Sequence, residues 1–327
     1  MGITTKDLAQ ICGVSRTTVH RALNGAGRIN PDTKEMILRV AKENDYRPDL
    51  LARGLVKGKT YYIGVVVLDV KNRYFSQMLS AIGAKASQRG YCINIILHDN
   101  DRKKEKEQLT RLSDYRVDGI ILSSVNEGEG YRKFLESLDT PIVSVDNKIA
   151  GGIPFVGIDQ KNAMKEATLH IIAGGYEKIV FVCPPMDAEA EQNIYVHKQR
   201  LLGFREALAG SKEISAEYLL DWNYLTEAEK MLFDKKKTAF LCTADNFALD
   251  IMKKLKESGK TAHRDYGIVG FDNIDTLDYV SPRLTTISNS VDEVANNAID
   301  LLFELMEASA SEKERILDYE FIPGETL

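Results

Sequence analysis

Arg16, Thr17, Thr18, His20 and Arg21 crowd five polar side chains into a short stretch. Forked guanidinium donors, hydroxyls and an imidazole are the groups that read base edges and hold phosphates. They need a rigid element to present them. Two helical patterns, Thr5–Cys12 and Arg16–Asn24, joined by the turn Gly13-Val14-Ser15, supply it. That spacing is the sequence form of a helix-turn-helix, whose first helix crosses the phosphate backbone and whose second lies in the major groove. Ser15 is placed to cap the second helix, and Leu8, Ala9, Val14, Val19, Ala22 and Leu23 supply an apolar face that locks the pair.

Charge follows the same division. Residues 1–60 carry eleven Lys/Arg against six Asp/Glu, a net of +5, while the remainder carries 32 against 42, a net of −10. A basic head on an acidic body suits nucleic acid, because phosphate neutralisation supplies most sequence-independent affinity. A third helix follows, with Asn30 as cap, Pro31 at its first position, Asp32 in its first turn, and Met36, Ile37, Val40 and Ala41 apolar. Beyond it, Pro48 ends what precedes, Asp49 caps a short new helix and Gly58 stops it.

From Tyr61 onward lie about 265 residues, enough for two domains of ordinary size. Tyr62–Leu68, Tyr91–Leu97, Gly119–Leu122, Ile142–Val145, Ile179–Cys183, Thr238–Cys242 and Gly267–Gly270 read as buried strands. Between them fall amphipathic helices such as Tyr74–Gln88, Lys161–Ala173, Gln199–Ala209 and Asn246–Glu257, with Val291–Leu305 near the end. The alternation predicts an α/β body of parallel sheets covered on both faces. Asp272 follows a strand at its carboxyl end, where open α/β sheets bind ligands, and it equally fits a cap or turn. Trp222, the only Trp, is by itself as well suited to a lobe core as to stacking on a ring.

Several stretches point away from other classes. There is no apolar run of about 18 residues, and the N-terminus enters a capped polar helix rather than a signal peptide, which implies a cytoplasmic protein with no membrane partner. Cys12, Cys92, Cys183 and Cys242 have no metal or redox spacing and fit reduced thiols, and the five histidines form no metal set. No metal, cofactor or catalytic residues are expected. Lys103–Lys106, with Glu105 interleaved, reads as a solvated helix start.

The stretches KDLAQICGVSRTTVHRALNG, YRPDLLARGLVKGKT, IGVVV, DYGIVGFDN and PRLTTI resemble, in order and along essentially the whole chain, the lac repressor/galactose repressor (LacI/GalR) family. The resemblance implies a helix-turn-helix headpiece over residues 1–46, a hinge helix and linker over 47–60, and a two-lobed body over 61–327 like periplasmic sugar-binding proteins. Lobe one would take about 61–158 and 288–318, and lobe two about 159–287 and 319–327, with crossovers near Asp159 and Ser288. It further implies that Arg16, Thr17 and Arg21 read bases and that Ser15, Thr18 and Asn24 touch phosphates. Ala52 and Leu55 would belong to the hinge, with Leu55 wedged into the minor groove. In the cleft it implies Tyr74, Phe75, Asp146, Arg200, Trp222, Asp245 and Asp272 as effector-binding, Asp146 and Asp245 either lining or bracing it.

Departures from the family pattern are informative. Gly54 inside the hinge helix costs about 1 kcal/mol relative to Ala, so a short helix there is marginal without DNA. Ala244 replaces an Asn common in sugar-responsive members, and Ile194 and Val196 argue against a purine. The expectation is a homodimer or dimer of dimers on a pseudo-palindromic, double-stranded operator. It would repress carbohydrate-utilisation genes and release DNA when a small sugar or sugar derivative fills the cleft. A two-lobed small-molecule binding protein, or a co-repressor-dependent regulator of a non-sugar metabolite, remains the alternative. An enzyme would need a nucleophile or phosphate loop that the sequence lacks.

Overall fold

The computed structural model describes residues 3–25, 27–47, 58–186, 192–211 and 213–327. The expected hinge helix, with Ala52, Gly54 and Leu55, lies outside the described residues. The chain divides into two compact units, Met1–Thr60 and Tyr61–Leu327.

The first unit contains three helices, α1 (Thr5–Ile11), α2 (Arg16–Asn24) and α3 (Pro31–Glu43). Thr4 rather than Thr5 starts the first: its hydroxyl accepts the Asp7 amide while the Asp7 carboxylate accepts the Thr4 amide at 2.8 Å, a reciprocal capping box. Gly13 turns the chain at φ +65, a region open to glycine at no steric cost. Ser15 Oγ accepts the Thr18 amide at 3.1 Å, and Asn30 Oδ1 accepts that of Asp32 at 2.8 Å, so both expected caps are in place. Leu8, Val19 and Ile37, all fully buried, form the centre of a core shared by the three helices.

In the second unit β1 (Tyr62–Val67), α4 (Arg73–Gln88), β2 (Cys92–Leu97), α5 (Arg102–Asp114), β3 (Gly119–Leu122), α6 (Glu129–Ser137), β4 (Ile142–Val145) and β5 (Phe155–Ile158) come first. They build a parallel sheet in the order β11-β5-β4-β3-β1-β2, to which β11 (Glu314–Leu317) adds an edge late in the chain. After the crossing at Asp159 come α7 (Gln160–Ala173), β6 (Lys178–Val182), α8 (Tyr195–Leu208), β7 (Ser215–Leu219), α9 (Tyr224–Ala228), β8 (Thr238–Cys242), α10 (Asp245–Glu257) and β9 (Gly267–Val269). These form a second parallel sheet, β7-β6-β8-β9. β10 (Thr286–Ser288) leads into α11 (Val291–Met306), which packs on α4 and on β3, β4 and β5 of the first sheet. The chain then passes through β11 and returns in β12 (Glu320–Ile322), antiparallel to β10, so it crosses between lobes a third time.

The predicted strands appear where apolar runs are continuous, because parallel strands are buried on both faces. β5, β10, β11 and β12 were not foreseen as strands. β10 and β12 are only three residues each, and β11 is a half-exposed edge whose residues, ERIL, show no continuous apolar run. α8 begins at Tyr195 instead of Gln199, since Asn193 Oδ1 accepts the Tyr195 amide at 3.1 Å and starts the helix earlier. Along α7 and α8 the backbones touch at Gly203, where a Cβ would stand 2.0 Å from the Lys161 carbonyl oxygen. Among the described residues no helix is long and apolar enough to cross a membrane.

Candidate nucleic-acid interface and ligand cavity

On α2 the side chains of Arg16, Thr17, His20 and Arg21 are exposed, and among the described residues neither arginine has an ion-pair or hydrogen-bond partner. Their donors are free for an outside acceptor. The three residues expected at phosphates are occupied locally. Ser15 caps the helix, Thr18 is half-buried with its hydroxyl 2.9 Å from that of Ser15, and Asn24 Nδ2 donates to the His20 carbonyl at 2.8 Å.

In the second unit a cavity of about 810 Å³ opens between the two sheets' carboxyl ends. Of the residues expected there, Tyr74, Phe75, Asp146, Arg200, Trp222 and Asp272 line it. Arg200, 5% exposed, is held from several sides: Nε donates to Gln160 Oε1 at 2.8 Å, Nη1 donates to the Thr243 carbonyl, and the guanidinium lies 3.5 Å from the Phe271 ring centroid. Its Nη2 stands 3.8 Å from Asp272 Oδ1, which also accepts from Asn289 Nδ2 at 3.0 Å. Burial pushes the Asp272 carboxyl well up, and the Arg200 charge opposes this. On the other lobe Asp146 accepts from Tyr74 OH and, at 3.0 Å, from Ser123 Oγ; burial raises its pKa while those bonds lower it.

Backbone geometry marks the same two carboxylates, with φ at +59 for Asp146 and +114 for Asp272, values that L side chains rarely adopt and that cluster at functional sites. Phe75 meets Tyr74 edge-on, with centroids 5.3 Å apart, and serves core and cavity together. Trp222 is 66% exposed, so it is no lobe-core residue.

Asp245 is a correction only as an effector contact: of the two roles the resemblance allowed, it does not line the cavity but braces it from behind. Fully buried, it accepts from Thr286 Oγ1 at 2.6 Å and from the Ile274 amide at 3.0 Å, while its neighbours Ala244 and Asn246 face the cavity. Burial pushes its pKa up to about 7. An acid whose folded pKa is raised holds its proton in the folded state, so stability falls as pH rises from about 4 to about 7. Asp245→Asn keeps an acceptor for the amide and should flatten that fall by a few degrees of Tm, read by thermal denaturation across this range.

Glu105 is a second correction. Lys103 and Lys106 are exposed, but Glu105 is wholly buried, accepting from Ser124 Oγ and the Val125 amide at 2.8 Å each and from Asn126 Nδ2 and Tyr131 OH. A helix turn that reads as a solvated charge run thus anchors the loop from Ser123 to Asn126 along the cavity. The sequence offered no signal for this, because a buried carboxylate and a solvated one look alike in a mixed-charge run.

Both lobes are tied around the cavity. Arg73 makes a two-pronged bond to Asp275, Nε to Oδ1 at 2.6 Å and Nη2 to Oδ2 at 2.5 Å, and the Val196 amide donates to Asn147 Oδ1 at 3.1 Å.

A family model described as bacterial regulatory proteins, lacI family, matches residues 4–49, and one described as a periplasmic binding protein-like domain matches residues 168–327. Catabolite control protein A of Priestia megaterium is 29% identical over 316 residues, covering 94% of this chain and 93% of that protein. The HTH-type transcriptional repressor PurR of Vibrio vulnificus is 28% identical over 319 residues, covering 95% and 94%. The chain belongs to the LacI family of bacterial regulatory proteins. Its fold matches the lac repressor dimer bound to operator and the anti-inducer ONPF, with a TM-score of 0.87 at 23% identity over 100% of this chain and 99% of that one. A periplasmic binding protein/LacI transcriptional regulator from Alkaliphilus metalliredigens, complexed with D-xylulofuranose, matches with a TM-score of 0.72 at 26% identity over 81% and 98%.

In this LacI-family chain the cavity also contains residues that sequence reasoning missed. Gln160, His197, Thr243 and Asn289 line it. Thr243 directly follows a predicted strand and Asn289 a predicted crossover, positions that could have flagged them. His197 carried no signal.

Proposed function

We propose that this LacI-family protein is a sequence-specific DNA-binding repressor whose operator affinity is switched by a small sugar-like effector in the cavity between its lobes. The observation that carries the reading is the buried Arg200 and Asp272, 3.8 Å apart at the cavity wall. A carboxylate acceptor beside fork-shaped donors is the pair that neighbouring sugar hydroxyls require. Residues 1–46 act as headpiece and 47–60 as hinge, in the cytoplasm, with a homodimer or dimer of dimers engaging a pseudo-palindromic operator. Arg16, Thr17 and Arg21 read bases, Ser15, Thr18 and Asn24 contact phosphates, and Ala52 and Leu55 enter the minor groove.

Operator titration at fixed salt, with and without a sugar that binds the cavity, tests the switch. A ligand alters DNA affinity only by binding two conformations differently, and DNA must then alter sugar affinity by the same factor. Weaker operator binding with sugar is expected, whereas tighter binding would make the sugar a co-repressor and an unchanged affinity would sink the switch. Arg21→Ala should cost about 1–3 kcal/mol on the specific site and relax preference at one base pair. Equal losses on specific and random DNA would reduce Arg21 to a phosphate contact.

A further inference from the structure

Three side chains of the cavity wall each carry a polar atom that bonds no protein nitrogen or oxygen and has almost no solvent contact: His197 Nδ1, Asn289 Oδ1 and Thr243 Oγ1, the last facing only the Cys183 thiol. Among the described residues no other buried side-chain nitrogen or oxygen is left in this state. Buried polar groups are almost always paired, and an unmade bond is expensive. Confinement of all three to the lining of one cavity is the pattern of a site whose missing partner is its ligand.

The chemistry of the three narrows that ligand. Asn289 already donates through Nδ2 to Asp272, so an acceptor oxygen is what remains. Thr243 is 1% exposed, and its carbonyl is engaged by Arg200, which leaves the hydroxyl. His197 lies one turn before Arg200 on α8, on the same face. Burial and the nearby Arg200 charge hold its pKa down to about 3, so the ring is neutral and one nitrogen accepts. Around them the cavity presents Asp146, Asp221 and Asp272 against Arg200, its sole Lys or Arg among the described residues, and two of that guanidinium's nitrogens are already bonded. Three carboxyl groups face one guanidinium, so the lining offers an entering anion little positive charge. An anion entering here would leave water to face carboxylates.

Resting on the reading that the cavity holds the effector, we propose that His197, Thr243 and Asn289 form a hydroxyl-recognising wall that takes an uncharged polyol and rejects its phosphorylated or carboxylate derivatives. His197 is the specificity determinant of this wall.

The test uses the purified full chain and calorimetry with D-ribose, D-xylose, D-glucose, D-galactose and cellobiose, beside ribose 5-phosphate, glucose 6-phosphate and D-gluconate. A neutral sugar should bind, with its charged derivative at least a hundredfold weaker. His197→Phe, which keeps a ring but removes both nitrogens, should weaken that sugar tenfold or more. The same variant should no longer distinguish the sugar from the deoxy analogue that lacks the hydroxyl met by His197. His197→Gln should restore part of the discrimination, and Asn289→Leu runs the same test from another element should His197→Phe fail to fold. Equal or tighter binding of a phosphate or acid, or unchanged selectivity in His197→Phe while Arg200→Ala abolishes binding, overturns this inference and leaves the cavity reading standing. Binding by no member of the panel overturns both.

Discussion

Arg200→Ala is expected to abolish binding of the neutral sugar that the wild type takes and to destabilise the body by about 3–5 kcal/mol, because it leaves Asp272 buried without its cation. The guanidinium also covers the Phe271 ring and ties Gln160 to the Thr243 carbonyl, contacts that alanine cannot replace. The loss should depend on pH in a definite direction. Arg200 lowers the Asp272 pKa against the upward push of burial, so removing it raises the folded pKa further above the unfolded value. A raised acid stabilises the fold only while protonated, hence the deficit of the variant should widen as pH rises, a comparison made at pH 5 and pH 8. Urea denaturation at both pH values measures this, and Asp272→Asn placed in the Arg200→Ala background should recover part of the stability at pH 8. A deficit that is constant with pH, and not relieved by the second substitution, would mean that Arg200 acts through packing alone.

Gly203→Ala should destabilise by about 3 kcal/mol although helix propensity by itself favours alanine by about 1 kcal/mol. The added Cβ would meet the Lys161 carbonyl oxygen at 2.0 Å, its carbon at 2.9 Å and the Lys165 amide nitrogen at 3.0 Å. All three are backbone atoms of α7, so no side chain can swing aside and the helices must part. At about 2–4 °C per kcal/mol for a body of this size, Tm should fall by about 6 °C or more in thermal denaturation. A neutral or stabilising outcome would show that the two helices slide past the clash without loss of packing.

The parts of the molecule governed by short-range rules were readable in advance. Ser15 and Asn30 cap the helices they precede because a side-chain oxygen two or three residues from an orphan amide needs no distant partner. Continuous apolar runs such as GIIL and TAFLC became strands because both faces of a parallel sheet are buried. Residues with weaker local signals were misjudged. The edge strand β11 is half-exposed and shows no continuous apolar run, and Glu105 in its lysine-rich turn gave no sign that the loop from Ser123 to Asn126 would fold over it.

The cavity divides along the same line. Resemblance placed Tyr74, Phe75, Asp146, Arg200, Trp222 and Asp272 there, and they line it, but their pairing joins segments far apart in the chain. Tyr74 bonds Asp146 in the first lobe and Arg200 faces Asp272 in the second, because each parallel sheet brings the carboxyl ends of distant strands side by side. Asp245, between two cavity residues in sequence, turned inward to Thr286 and Ile274, since the first turn of α10 packs against the loop after β9. The sequence alone determined the helical head with its exposed arginines, its charge against the acidic body and the α/β alternation, all of which follow from local periodicity, capping and composition. Tertiary structure decided which polar groups are buried, which find partners and which three bond no protein nitrogen or oxygen, because burial and pairing depend on neighbours supplied by distant segments of the chain.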